Sequence, residues 1–231
     1  AKHESVWRNE IEDGAVISTY TGYQMAVRDL PRSIETVRSD QLVSRESEYY
    51  LENIGNVKSI DDLMADDRLF RFAMKAHGLE ELSYAKALVR KVFEEGHDDQ
   101  GAFVNRLTDQ RYRELAETFD FKRYDSATTS FSRTQQGTVD KYLRQQLEEN
   151  AGANNEGVRL ALYFERKASS ISNTEEILAD IALSTVVRKV LQIPTETAFL
   201  SIDKQVEMLD EALDVSEFSD PEKLDEFINR F

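Results

Sequence analysis

The sequence predicts an all-α fold, a single two-lobed, multi-helix domain built from two pseudo-repeats, and three observations predict it. Only three prolines and nine glycines occur in 231 residues, while Ala, Leu, Glu, Lys, Gln and Arg are frequent, which matches helix preferences. Apolar residues recur at helical spacing, whereas the few Val-Ile runs are too short and too rarely alternating for a sheet. Finally, YYLENIGNVKSIDDLMADDRL from Tyr49 realigns without a gap on YFERKASSISNTEEILADIAL from Tyr163, an offset of 114 positions. That offset pairs Tyr49 with Tyr163, Tyr50 with Phe164, Val57 with Ile171, Asp61-Asp62 with Glu175-Glu176 and Asp66 with Asp180. It continues through Leu69 and Leu183 to Leu79 and Ile193. The matched positions are apolar or capping positions, whereas His77 becomes Leu191, Asp67 becomes Ile181 and Arg68 becomes Ala182, so the repeat is one of scaffold.

Residues 1–17 are charged and weakly periodic and read as a peripheral N-terminal arm; the single domain then occupies 18–231. Helical patterning starts near Tyr20 and is interrupted at Leu30-Pro31, because proline suits a first turn and not a helix interior. Leu42, Val43, Tyr49, Tyr50 and Ile54 carry the stripe onward, and Gly55-Asn56 offers residues that tolerate a left-handed ending. The first pseudo-repeat covers about 45–121. In it Ser59 and Asp66 read as N-caps, Leu69, Phe72, Ala73 and Ala76 form one buried face, and Gly78 stops the helix. Leu82 to Val92 form another helix, EEGHDDQG breaks it, a short helix lies near Phe103 to Leu107, and Asp109 caps the next.

A crossover and a helix fill 122–158, with ENAGANNEG as the turn that reverses the chain. VRLALYFERKA from Val158 is apolar on most of its circumference and is expected to be the most buried helix. The second pseudo-repeat, about 159–231, ends in a helix opened by Asp220-Pro221. A solenoid stacks three or more shorter units, so two lobes describe this pattern better.

With 29 basic against 44 acidic residues the formal charge is −15, and the averaged surface repels phosphate backbones and anionic lipid. The expected partner is therefore a protein, without nucleic-acid binding or membrane insertion. The absence of cysteine excludes disulfides, thiolate nucleophiles and Cys-ligated zinc. No apolar stretch approaches the roughly 18 residues of a membrane span, and the start lacks the basic-then-apolar order of a secretory signal. The expected location is the cytoplasm.

No residue is assigned a catalytic, cofactor-binding or metal-binding role. His97-Asp98-Asp99 after Glu94-Glu95 is the best metal-like group, but its spacing fits neither an EF-hand loop nor a histidine pair on one helix face, and it reads better as a polar helix end. His77 falls near a helix end, where a cation complements the dipole. Gly152 and Gly157 have phosphate-loop separation, yet Val158-Arg159 replaces the Lys-Ser/Thr pair and a helix precedes them. The acidic pairs recur at helix starts in both repeats, which capping explains.

The stretch KRYDSATTSFSRTQQG, 122–137, is Ser/Thr-rich and locally basic within an acidic chain. Lys122, Arg123, Tyr124, Phe131 and Arg133 make it the candidate partner interface, since arginines and aromatics are enriched at such surfaces. The same stretch also reads as a plain connection between lobes.

STYTGY from Ser18, RESEYYLENIGNVKSIDDLMADDRLFRFAMKAHGLEELSYAKALVRKVFEEG, FDFKRY, SRTQQGTVDKYLRQQLEE and NEGVRLALYFERKA occur in this order. Together they resemble the alphaproteobacterial family catalogued as domain of unknown function 1217, over Ser18 to Phe231. The resemblance implies a helical protein without an established activity, often encoded beside flagellar genes, and it supplies no catalytic residues. It also implies a native start near STYTGY, with the codon of Val16 as a candidate. The leading expectation is a non-enzymatic interaction protein linked to flagellar assembly or motility. The alternatives are an export chaperone, or a small-ligand-binding or hydrolytic protein with a site between the lobes.

Overall fold

Short polar side chains start most of the helices by accepting amide protons that a first turn leaves unpaired. The computed structural model describes residues 18–231, so the arm expected at 1–17 lies outside the described residues. Ser18 caps α1 (Thr19–Val27), Asp29 caps α2 (Leu30–Arg38) with Pro31 in its first turn, and Asp40 caps α3 (Gln41–Ile54). Ser59 caps α4 (Ile60–Ala65), and Asp66 ends α4 and caps α5 (Asp67–Ala76). There follow α6 (Lys86–Glu95), α7 (Arg111–Thr118), α8 (Phe121–Tyr124), α9 (Gln136–Asn154) and α10 (Glu156–Ala168). The chain closes with α11 (Thr174–Ala179), α12 (Ile181–Val190), α13 (Ile202–Ala212) and α14 (Pro221–Asn229), the last capped by Asp220. No strand occurs among the described residues.

Three local expectations are corrected. Gly55 ends α3 in a right-handed conformation, φ −63°, and the left-handed positions are Gly78, Gly96, Asp125 and Gln192. The helix expected from Leu82 begins at Lys86, because Glu80–Leu82 forms a separate 3-10 turn. The reversal expected over 149–157 shrinks to Asn155, since α9 continues to Asn154 and α10 resumes at Glu156. Gly152 stays helical and serves close approach: a Cβ there would meet the Arg159 side chain at 2.9 Å.

The helices α9 and α10 form the hairpin on which the rest is laid. α9 packs against α2, α3 and α5, and α10 against α1, α12 and α14. On the first side Tyr50, Phe72 and Tyr142 stack in series, with ring centroids 4.3 and 4.1 Å apart. On the second, fully buried Phe164 stacks on Phe227 at 5.3 Å and meets Phe218 edge-on at 5.1 Å. Val158, Ala161, Leu162 and Ala168 are buried with it, while Leu160 and Tyr163 are half-buried at the core margin.

Helix order recurs across the two halves. The bounds of α4 and α5 reappear 114 positions later as those of α11 and α12. Tyr49 Oη donates to Asp66 Oδ2 at 2.8 Å, and Tyr163 Oη to Asp180 Oδ2 at 2.5 Å. Gly78 and Gln192 share positive φ, 69° and 54°, and behind them Leu79 N donates to Met74 O and Ile193 N to Arg188 O. From these recurrences we propose that about 45–121 and 159–231 are pseudo-repeats. Superposing their Cα traces is expected to place Leu69 and Leu183 at equivalent helix positions; unrelated positions would refute it.

Because Phe164 loses all solvent contact among packed rings, Phe164→Ala is expected to lower stability by about 3 to 5 kcal/mol. Denaturant unfolding measures this, and a loss under about 1 kcal/mol would contradict the packing.

Candidate functional site

The 122–137 stretch is knitted down by its threonines, contrary to the irregular connection its composition suggests. Asp120 caps α8, and Asp125 turns the chain with φ 45° into a 3-10 segment over Asp125–Ser130. Thr128, Thr129, Thr134 and Thr138 are buried, and each hydroxyl donates to a backbone carbonyl. The longest of these reaches in sequence is Thr129 Oγ1 to Val57 O, at 2.7 Å. Tyr50 Oη in turn donates to Thr134 O at 2.6 Å. Buried hydroxyls satisfied in this way hold the 3-10 segment and the turn that follows it.

That scaffold turns four of the five candidate residues toward one another. The Tyr124 and Phe131 rings meet edge-on with centroids 4.8 Å apart. The Arg133 guanidinium lies 4.8 Å from each ring centroid, and Arg123 lies 5.6 Å from that of Tyr124. Arg133 Nε donates to Thr118 O at 3.2 Å, while its buried Nη2 has no hydrogen-bond partner among the described residues. Arg123 and Phe131 are exposed, and Tyr124 and Arg133 are half-buried. Lys122 points elsewhere: its Nζ donates to Glu95 O at 2.8 Å, and its stem covers Gly96.

His97 sits beside this cluster, with Nε2 3.5 Å from Asp120 and Nδ1 3.6 Å from Asp98. Asp98 also faces Arg123 at 3.9 Å, and Asp99 Oδ1 accepts from Gly101 N within the loop. No group of three or more His, Cys, Asp or Glu side chains is placed to hold a metal ion among the described residues.

Between the halves lies a second polar region that is closed on itself. Glu148 is buried and accepts from Arg144 Nε at 3.2 Å and from Arg166 Nε and Nη2 at 2.6 and 2.9 Å. Arg144 also binds Glu165, and Lys167 pairs with Glu114. Arg111 clasps Asp109 and donates to Gly78 O. The half-buried Tyr163 phenol is held protonated, since desolvation and then the Asp180 carboxylate raise its pKa.

His77 departs from the expectation of a helix-end cation. Burial, then the charge of Lys141, lowers its pKa to about 3, so the ring is neutral. Nδ1 lies 2.8 Å from Ala73 O and must be its proton donor, leaving Nε2 to accept from Lys141 Nζ at 3.1 Å. Two surface depressions are open to solvent, one lined by Ser59, Asp61, Arg90, Phe121, Lys122 and Asp125, the other by Asp214, Glu217 and Lys223. Sequence reading passed over the exposed Ile181, Phe199, Leu200 and Ile202, although the Asp67-to-Ile181 exchange between repeats signalled the first.

The model of a family described as a protein of unknown function, DUF1217, matches residues 76–224. A structural-genomics crystal structure of a protein from Agrobacterium tumefaciens is 46% identical, covers 93% of this chain and 91% of its own, and has a TM-score of 0.87. No curated protein matches the chain significantly. No helix among the described residues is long and apolar enough to cross a membrane.

The neutral histidine makes stability depend on pH. The unfolded chain protonates His77 near pH 6.5 and the native one near pH 3, so stability is whole above 6.5 and declines as pH falls between these values. From pH 7 to 5 this group alone is expected to remove about 2 kcal/mol. His77→Gln should flatten that limb in denaturant titrations at the two pH values; an unchanged slope would mean that His77 is protonated in the native state.

Proposed function

The chain belongs to the DUF1217 family, and from that premise we propose that it is a non-enzymatic, all-α interaction protein whose partner-binding face is the Arg123-Tyr124-Phe131-Arg133 cluster. The observation that carries this reading is the stacking of two arginines on two aromatic rings at the surface of a chain of net charge −15. Arginine and aromatic side chains that are already ordered lose little conformational entropy on binding and commonly anchor interfaces. A face of this chemistry suits an acidic or carboxylate-bearing protein segment that can engage Arg123 and pack on Phe131. Lys122 is left out of it, since its ammonium is engaged by Glu95 O.

The ionisable groups between the halves support the same reading over a ligand-binding or hydrolytic one. Glu148, Glu165, Glu114, Arg144, Arg166 and Lys167 bond to one another, and so have no side-chain capacity left for a small molecule. A pocket that binds or activates a small molecule keeps convergent groups unspent within an enclosure. The family resemblance directs the search for the partner to flagellar assembly and motility.

The test is affinity capture of the tagged protein from its own cells, with identification of the captured proteins and a swimming assay. Arg123→Ala with Phe131→Ala is the informative variant, because Arg133 also holds Thr118 O and its loss would confound binding with folding. The double variant is expected to lose a flagellar partner by at least about 30-fold, equivalent to about 2 kcal/mol. Stability should fall by no more than about 1.5 kcal/mol, the scale of one edge-on ring pair. Intact capture by the folded variant would retire the interface, and normal swimming of the deletion strain with no flagellar protein captured would retire the flagellar link.

A further inference from the structure

Where the first half of the chain carries a surface ion pair, the second half carries bare apolar side chains. Asp67 opens α5, and its carboxylate lies 3.2 Å from Lys86 Nζ at the start of α6. Lys86 also donates to Met64 O and lies over the Phe70 ring, so this corner is closed by its own residues. At the offset of 114, Asp67 corresponds to Ile181, which is 84% exposed. Lys86 corresponds to Leu200 at the same offset, or to Ile202 if the starts of α6 and α13 are matched; both are exposed, Ile202 to 61%. Phe199 beside them is 92% exposed. Because α11 packs on α13 as α4 packs on α6, the recurrence places these residues at the corner that Asp67 and Lys86 close in the first half.

The charges around this corner say what kind of partner it fits. Glu196 and Asp203, close in sequence to Phe199 and Ile202, are exposed and have no cation within 4.0 Å among the described residues, while the Arg188 guanidinium of α12 is taken up by Thr197 Oγ1 and Gln205 Oε1 at 2.7 and 3.0 Å. Lys204 is the single basic residue between Thr195 and Ala212. We propose that this face docks a basic amphipathic segment of a partner protein, with apolar anchors set on Ile181, Phe199 and Ile202 and flanking lysines or arginines facing the acidic rim. Helix-in-groove recognition uses this combination, anchors for affinity and flanking charge for orientation. A second copy of the chain fits poorly, because it would bring the same acidic rim against itself. The proposal stands on residues remote in sequence from the 122–137 cluster and survives the failure of that reading.

The test uses the whole chain and two fluorescent amphipathic helical peptides of roughly 18 residues, about the length of helical targets read at i, i+3, i+4 and i+7, one of Leu and Lys and one of Leu and Glu. Ile181→Asp combined with Ile202→Lys writes the ion pair of the first half into the second and leaves net charge unchanged, so bulk attraction is held constant. The Leu/Lys peptide is expected to bind the native chain, more weakly as salt rises, and the double variant at least about tenfold more weakly. Equal binding by the variant, equal binding of the Leu/Glu peptide, or no binding of the Leu/Lys peptide would overturn the proposal. Concentration-dependent dimerisation abolished by the same variant would overturn it in favour of a second copy. Should the double variant lose helicity, Phe199→Ser provides the same discrimination at a ring that is almost fully solvated.

Discussion

The architecture depends on one buried carboxylate. Glu148 sits on α9 with its side chain only 1% exposed, and Arg144 from its own helix and Arg166 from α10 surround it. A lone buried charge costs several kcal/mol, and removing one partner of such a pair is more damaging than never having built it. The fork of Arg166 spans both carboxylate oxygens, so a shift of α10 along α9 would leave charge unpaired in the interior. Arg144 reaches further to Leu162 O and Glu165, which ties it to the next turn of α10 as well. Apolar packing supplies most of the stabilisation, but it tolerates sliding more readily than a bidentate pair does.

Once α9 and α10 are fixed, the two cores follow from them. Tyr142 of α9 extends the stack of Tyr50 and Phe72, and Phe164 of α10 anchors Phe218 and Phe227. Glu114 and His77 then come to the hairpin from the side of the first half and are satisfied there by Lys167 and Lys141. The polar groups between the halves thus act as a seam. A seam that spends its hydrogen bonds internally has none left to polarise a substrate, which is why function is better sought on the outer faces.

How much of this was legible depended on how local its cause was. Ser59, Asp66, Asp180 and Asp220 act on amides two or three residues away, so their capping could be read from spacing alone. The gathering of Arg123, Tyr124, Phe131 and Arg133 was half legible: composition nominated them, but the bonds from Thr129 to Val57 O and from Tyr50 to Thr134 O that fix the stretch on the core could not be seen. The same limit explains Lys122, whose partner Glu95 O lies 27 positions away. His77 was misjudged as a helix-end cation because burial by α7 and α9 is a tertiary effect. The turn was drawn too long because the glycine and asparagines of ENAGANNEG suit a loop, whereas Gly152 stays in α9 at the place where the Arg159 side chain of α10 comes close.

The recurrence between the halves gives their differences more meaning than their likenesses. Positions kept in both, such as Tyr49 with Asp66 and Tyr163 with Asp180, perform the same mechanical task twice. Positions that diverge no longer serve that shared task. Arg68 pairs with Glu46 and covers the Tyr49 ring; Ala182 stands in its place, and Arg166 covers the Tyr163 ring from within α10 while holding Glu148. The cation over the tyrosine ring thus comes from Arg68 in the first half and from Arg166 of the seam in the second, where it also holds the hairpin. At Asp67 and Ile181 the difference is of the other kind: an ion-paired carboxylate faces water in one half and apolar surface in the other, where it gives the isolated chain no stability. A residue that costs solubility without packing against its own chain is accounted for most simply by surface it covers on another.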